Sequence, residues 1–526
     1  MDTNKEEEER NDLTNYLTMN DEKIEKIKKN SFIITPKKRW VLLSLFIIIN
    51  LLMNIDHGII PAISSKLYYI LNISHPIDFF LSLVFIGVIS GSLISLTIIN
   101  TFNRKYILVI SLILCSIFLF IFALTKHYII LCIDRVIIGI FQAFISIYLP
   151  LWCDQFGVES KKTLMMGLIQ VAPPLGVSVV YFVTSLLIAN YQRIFLIQTV
   201  LIFGVSLYLF SFSDKYFNSQ ARRVPIEIEE TLNKIENKKV ERQLKLSFFY
   251  NIDKNENKIH KKEDISFSTK LKYIFSEPLF IISVLILCGL FFIVTCFQYL
   301  VNDYILKVFK ETKSKQRLFA YLVVGSTSPT LGLIVGGLIV DKIGGYRKKG
   351  ALIVCLIFSF LSDLPAIPLI LVDSLYKYAV LLWIYLFLGS TLIPTFQGII
   401  IACLPKDIQA TGNCFAILFY NLLGFFPFCF FYVFMEGPKK MLSTAQKATV
   451  GCTFGITILV IFATFIRFRK DEEYNKKMGR EKITNIEELN DDDAITQGEN
   501  SLGLNSKELI TIEEQDFNDS KNGNNN

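Results

Sequence analysis

The chain has 526 residues, 52% of them hydrophobic and 19% charged, with a mean hydropathy of +0.45. A soluble protein of this length needs a far more charged surface, so composition excludes one. The formal net charge of +7 is concentrated in the two tails and one central loop, and does not read as a nucleic-acid surface.

About 20 apolar residues are needed to cross a hydrocarbon core. A polar tail, 1–39, comes first, with the tetrapeptide "YLTM" (Tyr16–Met19) of the tyrosine sorting type. Apolar runs then follow at 40–63, 79–100, 106–125, 128–152, 163–188 and 193–212. Residues 213–275 are polar, carry both signs of charge and read as a linker containing one short surface helix. Runs resume at 278–300, 317–340, 351–371, 376–402, 409–434 and 447–467, before an acidic tail, 469–526. The expectation is an all-α polytopic membrane protein with 12 transmembrane helices in two six-helix bundles, 40–212 and 276–468. The first run is too long, and follows too long a polar tail, to be a signal peptide.

Loop charge sets the orientation. "KIEKIKK" and "PKKRW" in the first tail, "NRK", "ESKK", "DKIGGYRKK", the central linker and "RFRK" all fall on one face, expected to be cytoplasmic with both termini. "KVFKETKSKQR" (307–317) is a basic exception on the other face. The sequon Asn72-Ile73-Ser74 then lies on the outer or lumenal side, as an N-glycosylation acceptor. The host is expected to be the plasma membrane or a lysosome- or vacuole-type endomembrane.

Nothing in the chain reads as an enzyme. The ten cysteines form no CxxC pair, and the four histidines form no cluster. HExxH, GxSxG and P-loop patterns do not occur, so no catalytic residue, metal ligand or cofactor is expected. Charges inside the apolar runs are the informative exceptions, because a carboxylate near a bilayer centre costs about 2.5–3.5 kcal/mol or more. Asp56 and His57 interrupt the first run, and Asp134 and Arg135 the fourth. Arg135 is the natural counter-charge for Asp56, with Asp134 competing for it. Gln142, seven residues past Arg135, faces roughly the same way. Gln170, Thr295, Gln298, Ser326, Thr327, Ser328, Thr395, Gln397, Asn413 and Asn421 are further polar residues expected at a central cavity or between helices.

Several motifs resemble those of the major facilitator superfamily. "GGLIVDKIGGYRKKG" places Gly337, Asp341, Lys342, Gly344, Arg347 and Lys348 as in that superfamily's GxxxD(R/K)xGRR loop signature. "NTFNRKY" repeats it in the first half, with Asn103, Arg104 and Lys105, but with Asn100 at the acidic position. Asn100 and Asp341 are 241 positions apart, and the first runs of the two halves start 238 apart (40 and 278), as a duplicated unit requires. "DRVIIGIFQAF" sets Arg135, Gly139 and Ala143 like the fourth-helix motif RxxxGxxxA. "GLIQVAPPLG" sets Pro173, Pro174 and Gly176 like the bend motif of the fifth helix.

Within that superfamily the N-terminal half is most similar to Spinster-type lysophospholipid and sphingolipid transporters. The likeness rests on "INLLMNIDHGIIPA", "NRKYIL", "DRVIIGIFQAFISIYLPLWCDQF" and "LIQVAPPLGV". It implies a monomeric secondary transporter, of symporter type, working by alternating access on a lysophospholipid or related amphiphile. It also implies that Asp56 is the proton site and that Arg135 faces an anionic headgroup. Two positions depart from the Spinster pattern: His57 stands where an Arg is usual, and Gln142 where a Glu is usual. A small polar solute (sugar, organic acid or vitamin) is the alternative substrate, and a transport-dead sensor or scaffold the alternative role.

Overall fold

The computed structural model describes residues 34–63, 66–67, 77–187, 190–218, 266–297, 305, 312–372, 374–425, 444 and 446–472. Expectations on Tyr16–Met19, Asn72, Gln298, most of the central linker, residues 426–434 and the tail beyond 472 lie outside them. The described residues up to Arg467 form one compact unit, and a second, Phe468–Asn526, enters only as the end of the last helix.

Among the described residues, 11 helices are long and apolar enough to cross a membrane. In chain order they are α1 (Pro36–Ala62), α2 (Ile77–Thr101), α3 (Arg104–Leu124), α4 (Tyr128–Phe156), α5 (Lys162–Leu186) and α6 (Tyr191–Phe210). The second half has α7 (Pro278–Cys296), α8 (Ser314–Lys342), α9 (Lys349–Ala366), α10 (Leu375–Ala402) and α12 (Gln446–Glu472). Between the last two lies α11 (Gln409–Tyr420), which runs into a π-helical turn, Asn421–Phe425, where the description stops. The result is the expected twelve-helix arrangement of two six-helix bundles. A short amphipathic helix, Phe267–Ser276, precedes α7 and begins within the segment, 213–275, expected to hold a surface helix.

Side-chain chemistry shapes the helices that build the centre. The helical pattern of α1 is interrupted at Asn54–Ile55, where the Asn54 amide donates to the Asn50 carbonyl at 2.7 Å. Asp56 and His57 therefore open the second segment of α1. In α5, Pro173 has no N–H to offer the Ile169 carbonyl one turn back. The Asn50 amide takes that place, donating to the Ile169 oxygen at 2.8 Å and tying α1 to α5. Small residues let α2 and α4 meet closely: a Cβ on Gly139 would collide with the Val84 carbonyl, and one on Gly87 with the Val136 carbonyl.

The loop signature explains how the two bundles are locked at one face. Gly337 allows close approach, since a Cβ there would sit 2.7 Å from the Leu164 Cα. One turn on, the Asp341 carboxylate accepts from the Thr163 N–H at 3.0 Å and the Leu164 N–H at 2.8 Å, capping the start of α5. Gly344 turns the chain at φ +100°, a conformation that suits only glycine well, and Lys342 is exposed. The first-half counterpart meets α11: the Asn100 amide donates to the Thr411 hydroxyl at 3.2 Å. Arg104 starts α3 and donates to Gln155 at 3.1 Å within its own bundle.

Further bonds join the bundles near this face. Asn413 donates to the Ile147 carbonyl at 2.7 Å. Asp154, near the end of α4, accepts from the Tyr346 hydroxyl and, at 2.9 Å, from Arg347. Burial, with the Asp154 charge beside it, raises the Tyr346 hydroxyl well above its ordinary range, so it stays a donor. Toward the opposite face the bundles meet through rings instead, Tyr181 against Tyr321 at 5.0 Å and Phe85 stacked on Phe425 at 4.9 Å.

Two outcomes follow from this packing. Gly139→Val should destabilise the protein by about 1–3 kcal/mol through overpacking, whereas Gly204→Ala, with nothing within 4 Å of the added Cβ, should not. Thermal unfolding of purified protein distinguishes them. Asp341→Ala removes a helix cap worth about 1 kcal/mol, roughly a fivefold change in the balance between closed and open forms. Spin labels on Ser160 and Lys406, one per bundle at this face, should report a larger separated population in the variant.

Candidate functional site

Three ionisable side chains are buried together between α1 and α4. Arg135 donates through Nη1 to Oδ2 of Asp56, and the two side chains are 1% and 0% exposed. The guanidinium also lies 5.9 Å from the centre of the Phe122 ring. Asp134 is 2% exposed and within electrostatic reach of both. Neither of its carboxylate oxygens has a hydrogen-bond partner among the described residues, and the same holds for Oδ1 of Asp56 and Nε of Arg135.

Charge counting shows what this cluster demands. With His57 neutral, two carboxylates and one guanidinium leave one negative charge uncompensated if all three are ionised. A lone charge in such surroundings is heavily penalised, so the arrangement balances when one carboxyl carries a proton.

His57, within electrostatic reach of the ion pair, and Gln142 lie at the wall of a central cavity. Gln142 is fixed by donating to the Met53 carbonyl at 2.9 Å, and its oxygen lies 3.4 Å from His57 Nε2. The His57 ring is 5.9 Å from Phe85, which leads to the Phe425 stack. The structure places Arg135 and Gln142 against α1. The expectation that Arg135 faces a headgroup is not met in this conformation, because neither Arg135 nor Asp56 reaches the cavity wall.

The cavity has a volume of about 230 Å³ and is built from both bundles. No Asp, Glu, Lys or Arg lines it among the described residues, and His57 is its one imidazole. The amides Asn50, Asn54, Gln142 and Gln170 come from the N-terminal bundle, together with Pro173 and Pro174 of the bend motif. Gly176, in the same motif, lets α5 pass the Leu51 carbonyl, which a Cβ would approach to 3.0 Å. The C-terminal bundle supplies mainly apolar and aromatic groups, including Phe291, Phe297, Tyr321 and Leu333. Its polar wall groups are largely occupied: Tyr385 bonds Thr453 at 2.6 Å, and Asn421 donates to the Ile417 carbonyl at 2.8 Å.

Other expected polar residues divide between these roles. Gln170 and Asn421 reach the cavity, whereas Thr295, Ser326 and Thr327 bond back to their own helices. Ser328 donates across to the Trp383 carbonyl, and Gln397 to Asn413, as interhelical ties. Three residues of consequence escaped the sequence reading: Asn50, Asn54 and Asp154. A signal for Asn50 existed, since a proline in α5 leaves an acceptor that a facing amide can satisfy. Asp154 carried no local signal, because its partners lie 192 and 193 residues away.

Residues 42–427 match the family model described as Major Facilitator Superfamily. No curated protein matches the chain. Solved structures of similar fold include the E. coli fucose:proton symporter FucP (13% identity, 81% of this chain and 98% of that one, TM-score 0.58). FucP in the outward conformation gives a TM-score of 0.59 at the same identity and coverage. The proton:xylose symporter XylE bound to 6-bromo-6-deoxy-D-glucose gives 0.63, at 14% identity over 82% of this chain and 95% of that one. At such identities these structures share the fold, and the family match spans most of the chain. With its bundles, loop signatures and central cavity, the chain belongs to the Major Facilitator Superfamily of membrane transporters.

Proposed function

We propose that this protein is a proton-coupled transporter of an amphiphile whose polar end bears no net charge. The observation that carries this reading is the cavity wall, which has no Asp, Glu, Lys or Arg among the described residues and gathers the amides Asn50, Asn54, Gln142 and Gln170 on one bundle. Amides of the N-terminal bundle suit hydroxyl, amide or ester groups, and the aromatic C-terminal side suits an apolar tail. This keeps the amphiphile class implied by the Spinster resemblance and drops the ion pair between Arg135 and a headgroup. Organic acids fit poorly, because no Lys or Arg lines the wall among the described residues. A small neutral solute such as a sugar is the second reading, favoured by the four clustered amides.

Coupling is assigned to Asp56, Asp134 and Arg135. When Asp56 pairs with Arg135, Asp134 holds the proton; when the proton passes to Asp56, Arg135 turns to Asp134. The pair lies between α1 and α4, whose cavity faces carry His57 and Gln142, so a change of pairing moves the substrate wall. In this orientation the face bearing the loop signatures is cytoplasmic. The bonds of Asp341, Asn100, Asn413 and Asp154 then close the cytoplasmic side, and the ring contacts constrict the outer one. Alternating access consists of exchanging these two sets.

Proteoliposome uptake tests the assignment, using labelled monoacylglycerol, lysophosphatidylcholine, hexoses and carboxylates with and without a pH gradient. Asp56→Asn should abolish gradient-driven accumulation and retain exchange of substrate down its own gradient, per folded molecule. Arg135→Ala should lower the folded amount as well, since orphaning a buried carboxylate costs about 3–5 kcal/mol. Undiminished proton-driven uptake by Asp56→Asn would contradict coupling, and uptake of carboxylates alone would contradict the neutral-substrate reading.

A further inference from the structure

Asp363 is a buried carboxyl group that the coupling trio does not use. It lies on α9 in the C-terminal bundle, 8% exposed, one residue past Ser362, which lines the central cavity. Its Oδ2 shares a 2.9 Å hydrogen bond with the Thr457 hydroxyl of α12, and its Oδ1 has no hydrogen-bond partner. The cations near the starts of neighbouring helices, Lys315 and Arg317 of α8, Lys377 of α10 and Lys447 of α12, do not pair with it. The titratable groups around it are neutral ones: Tyr385 of α10 and, near that ring, Cys452 of α12 and Cys296 of α7.

Counting hydrogens decides which form of Asp363 fits. Thr457 has one hydroxyl hydrogen and two acceptors within reach, Asp363 Oδ2 and, at 3.3 Å, the Thr453 carbonyl one turn back along α12. An ionised Asp363 claims that hydrogen and still rests its charge on a single neutral hydroxyl, which is heavily penalised in an apolar setting. A protonated Asp363 donates from Oδ2 to Thr457 instead, and frees the Thr457 hydrogen for the Thr453 carbonyl. Oδ1 is then a carbonyl oxygen, which tolerates a missing donor better than a charged oxygen does. The same turn of α12 carries the difference to the cavity. The Thr453 hydroxyl donates to the Thr449 carbonyl at 2.9 Å and so accepts from Tyr385 at 2.6 Å. Thr453 and Tyr385 both line the cavity. A threonine bonded back to its own helix bends it, so gain or loss of the proton alters α12 beside the wall.

We propose that Asp363 is an exchangeable proton site of the C-terminal bundle, with Thr457 as the group that answers its charge. It is separate from Asp56, Asp134 and Arg135, which lie in the other bundle, and does not rest on their assignment. The proton leaves to water that reaches the carboxyl from the cavity beside Ser362, because hydration is what makes the charged form tolerable. Thr457 then turns its hydrogen to the carboxylate and releases the Thr453 carbonyl.

Infrared titration of the purified full chain tests this without any substrate, in a maltoside detergent that has no carbonyl group of its own. Asp134→Asn serves as the background, so that the trio contributes no change of its own through Asp134. A protonated-carboxyl band should remain at neutral pH, shift on deuteration and disappear reversibly as the pH is raised. Adding Asp363→Asn should remove it. Adding Thr457→Val should keep the band and move its disappearance to higher pH, equivalent to proton binding about tenfold tighter, because the charged form loses its one donor. Should Asp363→Asn fail to fold, the displacement in Thr457→Val decides alone. A band untouched by Asp363→Asn would show that Asp363 is ionised. A band that it removes, but that no pH removes from folded protein, would make Asp363 a fixed structural acid. An unchanged titration in Thr457→Val would take away the responding group. Each of these results overturns the proposal.

Discussion

The buried pairing of Asp56 with Arg135 is the constraint around which the N-terminal bundle is arranged. Both groups are almost wholly removed from solvent, and each would be strongly unfavourable there without the other. The pair fixes α1 against α4 near the point where the helical pattern of α1 is interrupted. That fixes His57 on the cavity side of the same turn, and Gln142 two turns along α4. The ion pair and the cavity wall therefore lie on different faces of one helix. Asp134 adds a second buried carboxylate within electrostatic reach of the pair, and the proposed coupling rests on that imbalance.

The rest of the molecule supports a wall that must move. At one face the bundles are joined by directional bonds: a carboxylate capping a helix start, amides on a hydroxyl and a carbonyl, and Asp154 shared by Tyr346 and Arg347. Each is worth roughly a kilocalorie or two, so the set can open when a few are lost. At the other face ring contacts replace them, non-directional and tolerant of sliding. A lock of many weak bonds at one face and rings at the other suits a protein that alternates between two forms.

Much of this was legible in the sequence. Run lengths yield the helices, and the 241-residue offset between Asn100 and Asp341 anticipates corresponding places for them in a duplicated unit. The affinity of Asp56 for Arg135 follows from the cost of charge in lipid. What the sequence could not show is which side of a helix faces the cavity when every side is apolar. α1 reads as uniformly hydrophobic, so nothing in its pattern separates Asp56, turned inward, from His57, turned to the cavity. Asp154 was equally hidden, because a lone acid near a helix end looks solvated until its distant partners are placed. The Spinster likeness reaches no further than the N-terminal residues that carry it, whereas the family match extends through α11.

The claim that the buried trio stores one proton is tested most directly by infrared spectroscopy of the purified protein at neutral pH. A band from a protonated carboxyl in an apolar setting should be present in wild type and shift on deuteration. Asp363, also buried with one unbonded oxygen, contributes to the same region, so the informative quantity is the difference between wild type and Asp134→Asn. The account predicts that this substitution removes one carboxyl's worth of intensity. Identical spectra for the two proteins would mean that Asp56 and Asp134 are both ionised beside a single arginine, and would contradict it.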